Sequence, residues 1–272
     1  MKTAQANASG QTLHVAEWTG PTTLENVSGR ETVLKVGNEY HMWYSLDEKT
    51  LYHTSSTEPG SFSEGQPCTF NSNFVPVEVG SVSVAYEDGT FNSNVAPAEV
   101  GSVTVLHEDG TFYMIAYGSE NTKFNIYTST DGDEWENKGL VFDGDGIFGE
   151  PRGDILDGFQ QQKIDGPYLF KDGSTYRLYF QVKSEGGERY DIYTAEATGT
   201  TLAEIAEGND DVDFTLANES NPVLSPGEEG DWDGKYVMHP WVVKDNTGTY
   251  YMWYSAHNGT DPQQIGFAYS SD

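Results

Sequence analysis

Of the 43 acidic residues in this 272-residue chain, a few stand where chemistry could use them, at the head of a strand-like run or in a Gly- and Pro-containing loop before one. Asp165 opens Asp165-Gly166-Pro167-Tyr168-Leu169-Phe170, and Glu150 lies in Gly149-Glu150-Pro151-Arg152-Gly153-Asp154. Glu99 and its duplicate Glu78 each precede Val-Gly-Ser-Val, and Glu31 follows Arg30 at the head of Thr32-Val33-Leu34. Two carboxyl groups facing one space can divide acid and base work when burial or a like charge holds their pKa values apart. Each position also has an ordinary reading. Asp-Gly-Pro is a common turn before a strand, Glu31 suits a solvated strand start, and in so acidic a chain few carboxylates are special.

His239 opens His239-Pro240-Trp241, and a lone histidine at a strand start is more often an ordinary hydrogen-bonded residue than a ligand. Trp43, Tyr44, Tyr117, Trp253 and Tyr254 sit mid-strand, where packing is the default explanation. Trp135 and Trp232 follow Asp-rich turns and read as structural. No GxSxG elbow, P-loop, dinucleotide-binding GxGxxG or HExxH is present. The single Cys68 excludes an internal disulfide and a multi-cysteine zinc site, and it reads as inert.

The elements that must position these residues repeat. From His239 onward an apolar run, a turn, the strand Tyr250-Tyr251-Met252-Trp253-Tyr254-Ser255, another turn and Ile265-Gly266-Phe267-Ala268-Tyr269 form a meander. Tyr40-His41-Met42-Trp43-Tyr44-Ser45 repeats its central strand, and further units centre on residues 111–117 and 175–181. Four repeats are plain, and self-similarity of this size predicts propeller blades. The expected fold is all-β, a single β-propeller of five blades over 30–272, with 1–29 closing the last blade. Residues 70–90 are followed by a near copy at 91–111; one copy supplies an inner strand, and the other is an extra hairpin or a replacement for a degraded blade.

The net charge is −29, from 14 basic and 43 acidic residues. Such a surface repels nucleic acid and anionic membranes, so neither is an expected partner. It also suits high salt, where screening makes so large a charge tolerable. No apolar run is long enough to span a bilayer. Residues 1–18 lack the apolar core of a secretory signal, which fits a secreted or a cytoplasmic protein alike. A monomer is expected.

The phrases KIDGPYLFKDGSTYRLYF (163–180), NPVLSPGEEGDWDGKYV (221–237) and HPWVVKDNTGTYYMWYS (239–255) resemble the five-bladed propeller glycosidases: glycoside hydrolase family 43, with families 32, 68 and 130 as relatives. The resemblance implies an axial funnel lined by the starts of the inner strands, a carbohydrate substrate and no required cofactor, with calcium as the metal some members hold. It places Asp165 at the slot of the general acid or of the aspartate that tunes it. The first-blade base would fall at Arg30-Glu31, one position out of register at Glu31, and Glu99 and Glu150 are the further carboxylate candidates. Arg30, Arg152, Tyr168, Trp241 and His239 are the implied substrate contacts, and His239 is also the implied metal ligand. A carbohydrate-binding propeller without a base, favoured by Arg30 in the base slot, and a protein-interaction propeller are the competing functions.

Overall fold

Runs rich in Val, Tyr, Phe and Thr form strands here because β-branched and aromatic side chains fit a pleated surface, and the polar turns between them reverse the chain. The computed structural model describes residues 32–45, 51–57, 62–71, 103–117, 123–144, 164–183, 189–208, 214–217, 221–245 and 247–270. The first unit is β1 (Thr32–Val36), β2 (Glu39–Ser45), β3 (Leu51–Ser56) and the short β4 (Gln66–Pro67), paired in that order. β5 (Thr69–Asn71) crosses to the second unit, β6 (Thr104–Glu108), β7 (Thr111–Tyr117), β8 (Lys123–Ser129) and β9 (Glu134–Asp143), and runs parallel to β9. The third unit is β10 (Ile164–Asp172), β11 (Thr175–Lys183), β12 (Tyr190–Thr198) and β13 (Thr215–Leu216). The last is β14 (Tyr236–Lys244), β15 (Tyr250–His257) and β16 (Gln264–Ser270), joined to the third by a parallel pairing of Tyr190 with Tyr236.

These units are blades. Their inner strands β1, β6, β10 and β14 touch in succession, and the core lies in the seams between blade faces. Trp43, Leu51, Phe112, Met114 and Trp135 fill the first seam. Phe124, Phe142, Leu178 and Phe180 belong to the second, and Ile192, Val237, Tyr254 and Ala256 to the third. The second and third blades thus bury both faces against their neighbours, which is how a propeller covers its sheets. Trp43, Tyr44, Trp135 and Tyr254 are buried, in keeping with packing roles, while Trp232 is partly exposed and stacks on Tyr254. The side chain of Tyr117 lies outside the described residues.

The far ends of the inner strands are tied from blade to blade by charge. Glu108 at the end of β6 accepts from Lys171 Nζ at 2.7 Å, and Asp172 at the end of β10 accepts from Lys244 Nζ at 2.8 Å. The bonds from Lys244 and Tyr250 hold the Asp172 carboxyl below its ordinary range.

The second copy of the duplicated segment supplies β6 and leads into β7. Residues 72–90 of the first copy and the segment 1–29 lie outside the described residues, as does any fifth blade assembled from them. One helix, α1 (Leu202–Glu207), was not foreseen from the strand patterns. Thr201 caps it and Glu204 closes a capping box, while Leu202, Ile205 and Ala206 are buried.

Cys68 is held near the Gly132 carbonyl, its Sγ at 3.7 Å, and burial with Asp133 nearby pushes its thiol far up. It therefore stays protonated, and the thiolate is the reactive form. The native protein is expected to resist a thiol reagent at pH 8 and to react within minutes once unfolded in urea. Rapid labelling of the native chain would contradict this placement.

Candidate functional site

Asp165 lies inside β10, not in a turn ahead of it. The ladder to β11 slips between Asp165 and Tyr168, and Gly166 sits at φ +61 in the bulge. β14 repeats the device: its ladder to β15 slips between Met238 and Trp241, with His239 at φ +49. Pro167 and Pro240 follow the two bulge residues and remove a ladder donor at the same point in each strand. Asp-Gly-Pro-Tyr and Met-His-Pro-Trp are therefore structural equivalents. Bulges re-aim side chains and often stand beside functional sites. A non-glycine residue held in the left-handed region, as His239 is, costs about 1–2 kcal/mol and persists only where its surroundings impose it.

Gln181 imposes it. This side chain, opposite Asp165 on β11, is 4% exposed, and its Oε1 accepts the backbone N–H of His239 at 2.9 Å. A methyl group added at Gly166 would stand 2.8 Å from that same oxygen and 3.3 Å from His239 Nδ1. One buried amide thus packs against both bulges, and Asp165 on β10, Gln181 on β11 and His239 on β14 form one cluster. Asp165 Oδ1 accepts the N–H of Gly166 at 2.5 Å.

Aromatic rings flank the cluster. Burial pushes the Tyr190 hydroxyl up, with the Asp165 and Tyr236 charges adding to the effect. Tyr190 meets Tyr236 nearly edge-on at 4.9 Å, and Tyr236 lies 4.5 Å from the His257 ring. Tyr168 donates its hydroxyl to the Val242 carbonyl at 3.0 Å, and burial pushes its pKa to about 12, so it ties β10 to β14 as a neutral donor. Trp241 is 52% exposed and leans on Trp253 at 5.4 Å.

The structure thus brings together Asp165, His239, Tyr168 and Trp241 on two neighbouring strands. Arg30, Glu31, Glu99, Glu150 and Arg152 lie outside the described residues. Among the described residues no group of three or more His, Cys, Asp or Glu is arranged to hold a metal ion. Sequence reasoning missed Gln181, Tyr190, Tyr236 and His257. Gln181 left a signal, a single amide in the otherwise apolar run Leu178-Tyr179-Phe180-Gln181-Val182. Chemically, the cluster sets a carboxylate, an imidazole and a carboxamide side by side, with aromatic faces close by. That combination suits a ligand carrying many hydroxyl groups on an apolar ring face.

Gly166→Ala is expected to lower unfolding stability by about 2 kcal/mol or more, from left-handed strain and the clash with the Gln181 amide. The urea midpoint checks this, and an unchanged midpoint would mean that the bulge is not held as described.

No protein-family model matches the chain, and no curated protein matches it. Solved structures do. The chain is similar to a thermostable family-43 glycoside hydrolase, at 17% identity over 91% of this chain and 69% of that one, with a TM-score of 0.56. It is similar to an endo-1,4-beta-xylanase from Bacteroides thetaiotaomicron, at 14% identity over 87% of this chain and 69% of that one, with a TM-score of 0.53. A third likeness is to an N-acetylgalactosamine deacetylase from F. plautii in complex with a blood group B trisaccharide, at 14% identity over 91% of this chain and 77% of that one, with a TM-score of 0.53. At these identities the likeness is one of fold. The chain has the β-propeller fold of these glycoside hydrolases, as the blade phrases implied, with four blades among the described residues.

Proposed function

We propose that this protein is a glycoside hydrolase acting on an oligosaccharide or polysaccharide at the bulges of β10 and β14, in the axial funnel that the resemblance implies. The observation that carries the reading is the single buried amide of Gln181 packed against both bulges, with Asp165 and His239 at their turns. A left-handed histidine, at the strand position that Gly166 fills in β10 and bonded to a buried amide, is the kind of strained residue that clusters at functional sites. In this reading Asp165 is the acid–base carboxyl. Its partner comes from Glu31, Glu99 or Glu150. Arg30, Arg152, Tyr168, Trp241 and His239 contact the sugar. No cofactor is required, and calcium, with His239 among its ligands, is the metal to test. That one similar structure is named a xylanase and another holds a trisaccharide supports carbohydrate as the ligand class.

A second reading, a carbohydrate-binding propeller without hydrolysis, is favoured by the exposure of Trp241 beside Trp253. An aromatic platform binds a sugar face without any base.

The test is cleavage of a panel of aryl glycosides and natural oligosaccharides by the wild type, at low and at molar salt. Cleavage of one class is the expected result, and product stereochemistry then tells which carboxyl spacing operates, about 5–5.5 Å for retention or about 6.5–9.5 Å for inversion. Affinity without cleavage would establish the second reading, and neither affinity nor cleavage would remove both.

A further inference from the structure

The first seam holds a chain of titratable groups that the site above does not use. His41 on β2 is 8% exposed and His53 on β3 is 7% exposed. His41 Nδ1 stands 3.0 Å from His53 Nε2, and His53 Nδ1 stands 2.8 Å from Asp133 Oδ1 in the turn between β8 and β9. At the other end, His41 Nε2 faces Glu39 Oε2 at 3.9 Å. Trp43 lies nearly parallel to both imidazoles, at 5.9 and 4.8 Å, and Phe112 covers His41 at 5.1 Å. His107 on β6 also packs against Phe112, at 4.6 Å. Gly132 at φ +86 allows the contact, since a methyl group there would stand 2.9 Å from His53 Cε1.

Proton positions along this chain are constrained. The Asp133 carboxylate is an acceptor, so His53 Nδ1 carries a hydrogen. With His53 neutral, its Nε2 is then an acceptor and His41 Nδ1 must donate. That leaves a bare lone pair on His41 Nε2, aimed toward the Glu39 carboxylate. One added proton fits there, and the hydrogen in the bridge can then reside on either ring. A second would place N–H against N–H across 3.0 Å, with two cations between Trp43 and Phe112.

We propose that His41, His53 and Asp133 form a one-proton latch across the seam between the first two blades, which holds one shared proton and is opened by a second. The groups facing His41 divide in sign: His53 and His107 oppose its charge, while Glu39 and Asp133 favour it. Burial is the largest influence and holds His41 below its ordinary value. The unfolded chain therefore takes up protons that the folded chain refuses. Stability conferred by the latch is complete above about pH 6.5 and declines as pH falls below it. The seam is thus an acid-sensitive element of the ring, independent of any carbohydrate chemistry.

The decisive experiment is an imidazole nitrogen NMR titration of the intact protein from pH 8 to pH 5, with His41 and His53 assigned through His41→Phe and His53→Phe. The expected result is two rings that titrate together and take up one proton between them. Independent uptake of one full proton by each ring, in protein that remains folded, would overturn the proposal. In parallel, the pH dependence of the urea midpoint in His41→Phe should lose about one proton of linkage relative to wild type. An unchanged slope in a folded variant would also overturn it. If that variant does not fold, proton uptake by the wild-type pair still decides.

Discussion

Asp165→Asn is expected to lower turnover of any glycoside the protein cleaves by about 10²–10⁴-fold, the usual worth of a positioned acid or base. The amide is isosteric, so the β10 bulge survives, and its oxygen can still accept from the Gly166 N–H. Affinity for substrate and the urea midpoint should therefore change little. This split separates Asp165 from Gly166, whose replacement acts on the fold. Turnover within a few-fold of wild type would remove Asp165 from the machinery. A fall in turnover matched by an equal fall in stability would make it a structural residue.

The largest stability effect is expected at Trp43. Its ring is fully buried, lies nearly parallel to His53, and donates Nε1–H to the Gly132 carbonyl at 3.0 Å. Trp43→Ala should cost about 3–5 kcal/mol, a large share of what usually holds a domain folded. The same carbonyl accepts from Trp135 Nε1 at 2.9 Å. Hence Trp43→Phe or Trp135→Phe alone leaves it a partner, whereas both together leave it buried with only the weak Cys68 thiol nearby. The double variant should exceed the sum of the singles by about 1–3 kcal/mol, the penalty of an unsatisfied buried acceptor. Urea unfolding of the four proteins measures this, and strict additivity would mean that the two indoles do not share that carbonyl in solution.

The blades were legible because aromatic strands separated by polar turns have a short period, and the repeats at 40–45 and 250–255 share nearly the same residues. The inner-strand starts were harder. Asp-Gly-Pro and Met-His-Pro have the composition of turns, but β10 and β14 extend through them as bulges. What decides is Gln181, distant in sequence from His239 and bonded to its backbone. No local pattern announces such a partner. The helix α1 was missed for a different reason: Thr201 and Glu204 carry a capping signal, but six residues are too few to set up a helical period. The chain His41–His53–Asp133 was equally hidden, since it joins three segments that only blade packing brings together.

The central claim is that a sugar binds where β10 and β14 bulge. The most direct measurement is a crystal structure of Asp165→Asn with the tightest-binding oligosaccharide from the panel. The account predicts a sugar ring within hydrogen-bonding distance of residue 165 and in contact with His239, with an apolar face against an aromatic ring. A sugar bound elsewhere on the blades, with that cluster untouched, would contradict it.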